Sequence, residues 1–246
     1  MTVNSPDLLP PPRRHPVAVV LRGLFEWAKS LSLALLMFLT VRAFLVEPFK
    51  IPSGSMEGTL LVGDFLFVNK LVYGAEVPFT GKRLPAFRHP QRGDVLVFQW
   101  PEDPSKDFVK RLVGMPGDTV AMRDGVLIRN GRAQRERYVT HTAPHKDPSG
   151  EEFRWQRDYL VSRARARPSY HPSRNNWGPL VVPVGNYFVL GDNRDNSLDS
   201  RYWGFVADSL VRGSPMVVYY SYAPDSNVAF DWLRRVRWNR LGQRVH

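Results

Sequence analysis

RDGVLIRNG, residues 123–131, indicates the fold more directly than any other part of the sequence. Its apolar run at 126–128 stands between an Asp-Gly pair at 124–125 and an Asn-Gly pair at 130–131. Such pairs accept the positive φ angles of two-residue hairpin turns, and a short apolar run between them is typical of a strand. The stretch therefore predicts neighbouring antiparallel strands.

Similar short runs continue in both directions from this hairpin. They are rich in β-branched and aromatic residues, which favour strands. The runs are FLFV (65–68), VLVF (95–98), YFVL (187–190) and VVYY (217–220). No long amphipathic helical pattern separates them between residues 60 and 225. We therefore expect a mainly β fold, with a compact antiparallel β domain over residues 47–229.

Two segments depart from this β pattern. Residues 132–178 are rich in Arg, His, Pro and Ser and poor in aliphatic runs, and we interpret them as a peripheral insertion or subdomain without chemistry. Residues 230–246 are basic and amphipathic, with Trp and Leu alternating with Arg. They predict either a helix on a membrane surface or a solvated helix packed on the domain.

The N-terminal part predicts a membrane anchor. Residues 1–26 are Pro-rich and basic, and residues 27–46 are mostly apolar. As a helix, the second stretch would be about 30 Å long, which matches the hydrocarbon core of a bilayer. A buried core helix or a cleaved secretory signal are the alternatives, but the motifs below favour a single transmembrane helix. Basic residues precede the uncharged part of this stretch, residues 30–41, at 13, 14, 22 and 29. They outweigh the basic residues at 42 and 50, so we expect a cytoplasmic N-terminus and an extracytoplasmic β domain.

Composition excludes several kinds of site. The 246 residues include no cysteine, which rules out disulfides, thiolate nucleophiles and Cys-based zinc sites. A formal net charge of +11 indicates an anionic partner, either nucleic acid or an anionic membrane, unless it serves solubility alone. Stacking motifs of nucleic-acid-binding modules are absent, so we expect no nucleic acid partner.

Several common catalytic motifs are missing as well. The sequence contains no G-x-S-x-G, H-E-x-x-H, P-loop or S-x-x-K pattern. Its six histidines lie in Pro-rich, Arg-rich or terminal contexts, and we interpret each as a surface residue rather than a general base.

Ser55 and Lys110 are the candidate nucleophile and general base. The Ser-Gly-Ser turn at 53–55 can expose a hydroxyl, although it is also ordinary loop composition. On a strand, Lys110 would share one face with Phe108 and Leu112, because alternate residues point the same way; the alternative is an edge-strand lysine that points to solvent. Burial would lower its pKa from about 10.4 to near 8 at a cost of roughly 3 kcal/mol, and so provide a base without histidine.

Four segments together resemble the bacterial type I signal peptidase (leader peptidase) family of Ser–Lys dyad serine proteases, in both order and spacing. They are IPSGSMEGTL (51–60), GDFLFVNK (63–70), RGDVLVF with KRLVGMPGD (92–98 and 110–118), and GDNRDNSLDSRYWGFV (191–206). The last segment is the most specific, because so long a match rarely occurs by chance.

The resemblance implies a role for each matching residue. It implies Ser55 as the nucleophile, Lys110 as the general base, Ser53 as part of the oxyanion hole, Ser197 as the residue that orients Lys110, and Asp199 with Arg201 as a supporting charged pair. It implies structural roles for Asp64, Arg111, Gly117, Asp118, Gly191, Asp192, Asn193 and Arg194. Gly58 departs from the pattern, because many members have proline there.

The same resemblance implies a function. A membrane-bound serine endopeptidase would cleave signal peptides from exported preproteins after small residues in an A-x-A pattern, with no metal or cofactor. Its partners would be signal-peptide-bearing preproteins and membrane lipid. Residues 27–46 would contact the lipid, and residues 230–246 are a second candidate for that contact. The protein would lie in a bacterial plasma membrane, with the protein-export machinery nearby. The alternatives are a membrane-tethered basic protein without catalysis, and a Ser–Lys self-cleaving repressor, which would lack the anchor.

Overall fold

The computed structural model describes residues 16–77, 80–161, 170–225 and 230–245. The chain divides between residues 42 and 43 into two units, the first helical where it is described and the second built mainly of β-strands. The part of the predicted N-terminal segment that precedes residue 16 lies outside the described residues.

The N-terminal unit contains a long apolar helix. Helix α1 runs from Pro16 to Thr40 and continues as a π-helical turn, Val41–Leu45. The stretch Val20–Leu45 has 26 residues and a mean hydropathy of 1.6, so it is long and apolar enough to cross a membrane. The predicted span of 27–46 overlaps this stretch, but the helix begins earlier and Val46 already belongs to the first strand.

The second unit is built on a seven-stranded antiparallel sheet. In their order across the sheet, the strands are β1 (Val46–Lys50), β2 (Asp64–Asn69), β11 (Val211–Ser221), β3 (Val95–Trp100), β4 (Asp103–Gly114), β9 (Asn186–Leu190) and β10 (Val206–Ala207). All four short apolar runs outside the starting hairpin lie in these strands. The expected mainly β, antiparallel fold is therefore confirmed.

A second antiparallel sheet contains the hairpins predicted from residues 123–131. Its order is β7 (Arg132–Ala133), β6 (Val126–Arg129), β5 (Thr119–Arg123) and β8 (Trp177–Val181). Asp124 has a φ of 49° and Asn130 a φ of 52°, and the glycine after each also has a positive φ. Both predicted turns are thus formed, and each joins two neighbouring strands.

Strand β3 separates two of the hydrophobic cores and so helps to position the residues discussed below. Val95 and Val97 pack into one core, whereas Leu96 and Phe98 pack into another on the opposite face. Alternation of side chains along a strand explains this division. Met56, immediately after the predicted nucleophile, is buried in the first core, so the turn that carries Ser55 is fixed to the sheet.

Residues 132–178 are more closely integrated than the peripheral insertion we expected. Within the described part of this region, Phe153, Gln156 and Trp177 are buried. Thr140 also forms a bridge with Asn193 in the last family-like segment. A composition poor in aliphatic runs hides this packing, because isolated aromatic and polar side chains make the contacts.

The C-terminal segment does not form the predicted amphipathic helix. It contains two short helical turns, Asp231–Arg234 and the 3-10 turn Trp238–Arg240. The residues that follow return along β11, with backbone hydrogen bonds from Gly242 N–H to Val218 O and from Val218 N–H to Gln243 O. The Arg240 guanidinium also binds the buried Asp64 carboxylate. These tertiary contacts outweigh the local helical preference, because the segment forms backbone hydrogen bonds with β11 and Arg240 also gains a buried ionic partner.

Candidate active site

Ser55 lies on a tight turn whose two ends are held by the β unit. The turn is one stretch of 3-10 helix, Gly54–Met56. Before it, the Ile51 N–H donates to the Asp64 carbonyl at 2.8 Å, and its last residue, Met56, is only 1% exposed. The Ser55 side chain is therefore presented from a backbone with little freedom to move.

Lys110 lies in the interior of the seven-stranded sheet, on β4 and opposite Leu96 of β3. Its Nζ is 2.8 Å from Ser55 Oγ and 3.0 Å from the Val109 carbonyl oxygen, and the residue is 4% exposed. The same Nζ lies 5.2 Å from the centre of the Phe108 ring, which confirms that these two side chains share a face. The edge-strand, solvent-facing alternative is therefore wrong.

The environment of Lys110 favours a neutral amine. Burial lowers the pKa of Lys110 to about 8, and the charge of Arg201 acts in the same direction. The carboxylates of Asp199 and Asp192 oppose this effect, because they favour the charged form. A large fraction of the amine is then unprotonated at mildly alkaline pH, so it can accept a proton from a hydroxyl 2.8 Å away.

Asp199 and Arg201 form a fully buried ion pair behind the lysine. Two hydrogen bonds of 2.8 Å join the guanidinium to the carboxylate, and the Gly191 N–H donates to Asp199 at 3.0 Å. Burial alone would raise the pKa of Asp199, but the charge and hydrogen bonds of Arg201 hold it below its ordinary value. The pair is therefore charged, and Arg201 offsets only part of the effect by which Asp199 raises the pKa of Lys110; burial of the amine outweighs the remainder.

Ser53 and Ser197 lie next to the dyad but make weaker contacts than the resemblance implies. Ser53 Oγ is 3.4 Å from Ser55 Oγ, at the outer limit for a hydrogen bond. The Ser197 hydroxyl is buried and makes no hydrogen bond of normal geometry to the described residues, so the expected bond to Lys110 is not formed. It lies near the Asp199 carboxylate and helps to lower the pKa of that group. Ser197 instead packs so closely against Gly191 that a Cβ there would lie 2.2 Å from its Oγ.

A cleft of about 620 Å³ opens over the dyad. One wall is formed by residues 49–53 and the other by residues 107–110, with Met56 and Leu198 adding apolar surface. Both walls are short lengths of backbone at or next to strands. The cleft is therefore bordered by extended backbone of the kind that can pair with a peptide strand. Among the described residues, no group of three or more acidic or histidine side chains is placed to hold a metal ion.

Comparison with known proteins shows which family has this arrangement. The family model described as "Signal peptidase, peptidase S26" matches residues 24–220. The chain belongs to this family. It is 38% identical over 247 residues to signal peptidase I of Pseudomonas aeruginosa, covering 92% of this chain and 81% of the relative. It is 40% identical over 210 residues to signal peptidase I of Pseudomonas fluorescens, covering 81% of this chain and 73% of the relative.

A solved crystal structure of a signal peptidase I from Enterococcus faecalis is 32% identical in sequence to this chain. The match includes 98% of that structure and 52% of this chain, with a TM-score of 0.35. Family membership makes the protein a serine peptidase.

Residues shared with the signal peptidase motifs form ion pairs, of which Arg111–Asp192 is buried and Arg92–Asp118 has a half-exposed guanidinium. Arg111, next to the lysine, binds Asp192 through two hydrogen bonds of 2.7 Å. Arg92 binds Asp118 at 2.8 and 2.7 Å. Burial alone would raise the pKa of Asp118, but the hydrogen bonds of Arg92 help to lower it to about 2. These pairs join separate loops to the sheet, which agrees with the structural roles expected for them.

Three residues near the site were not indicated by the sequence. Glu136 binds Arg194 through hydrogen bonds of 2.8 and 2.7 Å, the Tyr138 ring lies 3.8 Å from the Arg111 guanidinium, and Thr140 contacts the nucleophile turn. They lie in the region interpreted as having no chemistry. No motif or spacing marks them, because their partners are distant along the chain.

Proposed function

We propose that this chain is a membrane-bound signal peptidase I that removes N-terminal signal peptides from exported preproteins with a Ser55–Lys110 dyad. The observation that carries the proposal is the 2.8 Å separation of Ser55 Oγ and the buried Lys110 Nζ at the base of an open cleft. A hydroxyl and a desolvated amine at this distance form a nucleophile and its base without histidine.

The reaction follows from these positions. Neutral Lys110 accepts the Ser55 proton as Oγ attacks the scissile carbonyl, and the resulting ammonium donates that proton to the leaving amine. The amine, neutral again, then activates a water molecule that hydrolyses the acyl-enzyme. We assign the oxyanion to the Ser55 N–H and to the Ser53 hydroxyl, whose oxygen lies 3.4 Å from Ser55 Oγ.

The substrate preference that we propose is cleavage after small residues in the A-x-A pattern. The cleft near Ser55 is narrowed by apolar side chains, among them Ile51, Met56 and Val109. An extended chain presents alternate side chains to the same face, so positions −1 and −3 of a substrate would both face this apolar surface. Large side chains at these positions would not fit without displacing buried groups.

We further propose a place for the protein in the cell. Helix α1 would be the single-pass anchor in a bacterial plasma membrane, with a cytoplasmic N-terminus, an extracytoplasmic β unit and the export machinery nearby. The C-terminal segment is a second candidate for lipid contact, because Trp232, Leu233 and Trp238 are 53%, 63% and 76% exposed beside several arginines.

The substrate proposal can be tested by mapping the cleavage site. Full-length protein in detergent is incubated with a preprotein that carries Ala at −1 and −3, and the new N-terminus is identified by mass spectrometry. We expect one cut after the −1 alanine and a fall in rate of at least about 100-fold when that alanine is replaced by phenylalanine, because steric exclusion combines with lost positioning. A matched preprotein with phenylalanine at −2 should be cut normally. Equal cleavage of all three substrates would contradict the proposed specificity.

A further inference from the structure

Thr140 links the nucleophile turn to the loop that follows β9. We define the nucleophile turn as residues 53–58 and the loop as residues 191–197. The Thr140 hydroxyl donates to the Glu57 carbonyl at 2.8 Å, and its N–H donates to the Asp192 carbonyl at 2.9 Å. Its own carbonyl accepts from the Arg194 N–H at 3.1 Å. One residue therefore bonds both segments that surround the dyad.

Gly58 allows this close contact. It has a φ of 107°, and a Cβ at this position would lie 2.9 Å from Thr140 Cγ2 and 3.0 Å from the Tyr138 carbonyl oxygen. Proline cannot adopt this angle, because its ring fixes φ near −65°. The departure from proline noted in the sequence thus coincides with the place where residues 138–140 press against the nucleophile turn.

The segment that carries Thr140 is itself held rigidly. Glu136 binds the buried Arg194 side chain through two hydrogen bonds. Tyr138 stacks on Arg111, the neighbour of Lys110 on β4. Because both contacts are largely buried, the position of the Thr140 hydroxyl is fixed. Its hydrogen bond can therefore hold the turn in place.

We propose that Thr140 is a positioning residue that holds Ser55 at its reacting distance from Lys110. This inference rests on the proposed peptidase function. The bond at Glu57 secures the turn after the nucleophile, while the Asn193 N–H, donating to the Ser55 carbonyl at 3.1 Å, secures the nucleophile itself. Without the threonine hydroxyl, the turn loses its hydrogen bond at the Glu57 carbonyl, and a displacement of about 1 Å at Ser55 would lower the rate by roughly 100-fold.

The test compares Thr140→Val with Thr140→Ser in the full-length protein. Valine keeps the methyl group that touches Gly58 but removes the donor, so kcat for preprotein cleavage should fall about 10- to 100-fold with little change in KM. Serine keeps the donor and should retain kcat within about threefold. Thr80→Val is the matched control, because the Thr80 hydroxyl also donates to a backbone carbonyl, that of Val77 at 3.0 Å, but lies outside the segments that Thr140 joins.

Gly58→Ala provides a second variant that acts on the turn from the other side. Its added methyl group meets Thr140 Cγ2, so the folded variant should also lose kcat rather than substrate affinity. Wild-type kcat in Thr140→Val or in Gly58→Ala, or equal losses in the valine and serine variants, would overturn the inference. Failure of the wild-type protein to cleave any preprotein would instead overturn the proposed function, so the two failures are distinguishable.

Discussion

Ser55→Ala and Lys110→Ala should each lower kcat for preprotein cleavage by at least about 10⁴-fold, because each removes half of a unit that acts together. The double variant should be no worse than either single variant, for the same reason. Initial rates in detergent, with folding checked by thermal unfolding, provide the measurement. Ser53→Ala should be milder, at about 10²- to 10³-fold in kcat, as for one oxyanion-hole donor.

Lys106→Ala is the matched control for this result. Lys106 lies on the same strand as Lys110, but its side chain is 61% exposed and pairs with Asp103 at the surface. Its loss should leave the rate unchanged. Cleavage within tenfold of wild type in Ser55→Ala or Lys110→Ala would exclude the dyad as the catalytic unit.

Asp199→Ala should have the largest effect on stability among the residues around the dyad. The substitution leaves the Arg201 guanidinium fully buried without its partner. Breaking a buried pair in this way costs about 3–5 kcal/mol of unfolding free energy, and for a domain of this size that corresponds to a fall of roughly 6–20 °C in Tm. Thermal unfolding followed by circular dichroism would measure the change.

The exposed pair on β4 provides the comparison. Asp103 binds Lys106 at 2.8 Å, close to the length of the buried pair, but in solvent. Asp103→Ala should therefore leave Tm unchanged, because surface pairs contribute little. If Asp199→Ala unfolded at the wild-type temperature, the Asp199 carboxylate would not be the group that compensates the buried charge of Arg201.

Much of the fold could be predicted because its signals are local. The Asp-Gly and Asn-Gly turns and the short β-branched runs each specify a strand or a hairpin within a few residues. The helix was also indicated locally, by the apolar run that predicted a membrane span at 27–46. Pairing order across the sheets could not be derived, because strands such as β2 and β11 meet only after a long excursion of the chain.

The candidate site could be predicted only in part. Neither the Ser-Gly-Ser turn nor the lysine was decisive alone, and the long motifs brought them together. Glu136, Tyr138 and Thr140 escaped prediction because their partners Arg194, Arg111 and Glu57 are distant along the chain, and no local pattern reveals such contacts. The C-terminal segment was misjudged because amphipathicity does not report the buried Asp64 carboxylate that attracts Arg240.

The most direct test of the central claim is kcat/KM measured against pH, on a soluble peptide whose small-residue motif ends in alanine. The reaction needs neutral Lys110, and the neutral fraction grows as pH rises through its lowered pKa of about 8. The dyad mechanism therefore predicts a rising limb with a midpoint near 8, and no activity in Lys110→Arg, because guanidinium does not release its proton in this range. A rising limb centred near 6.5, the ordinary value for histidine, or appreciable activity in Lys110→Arg would contradict it.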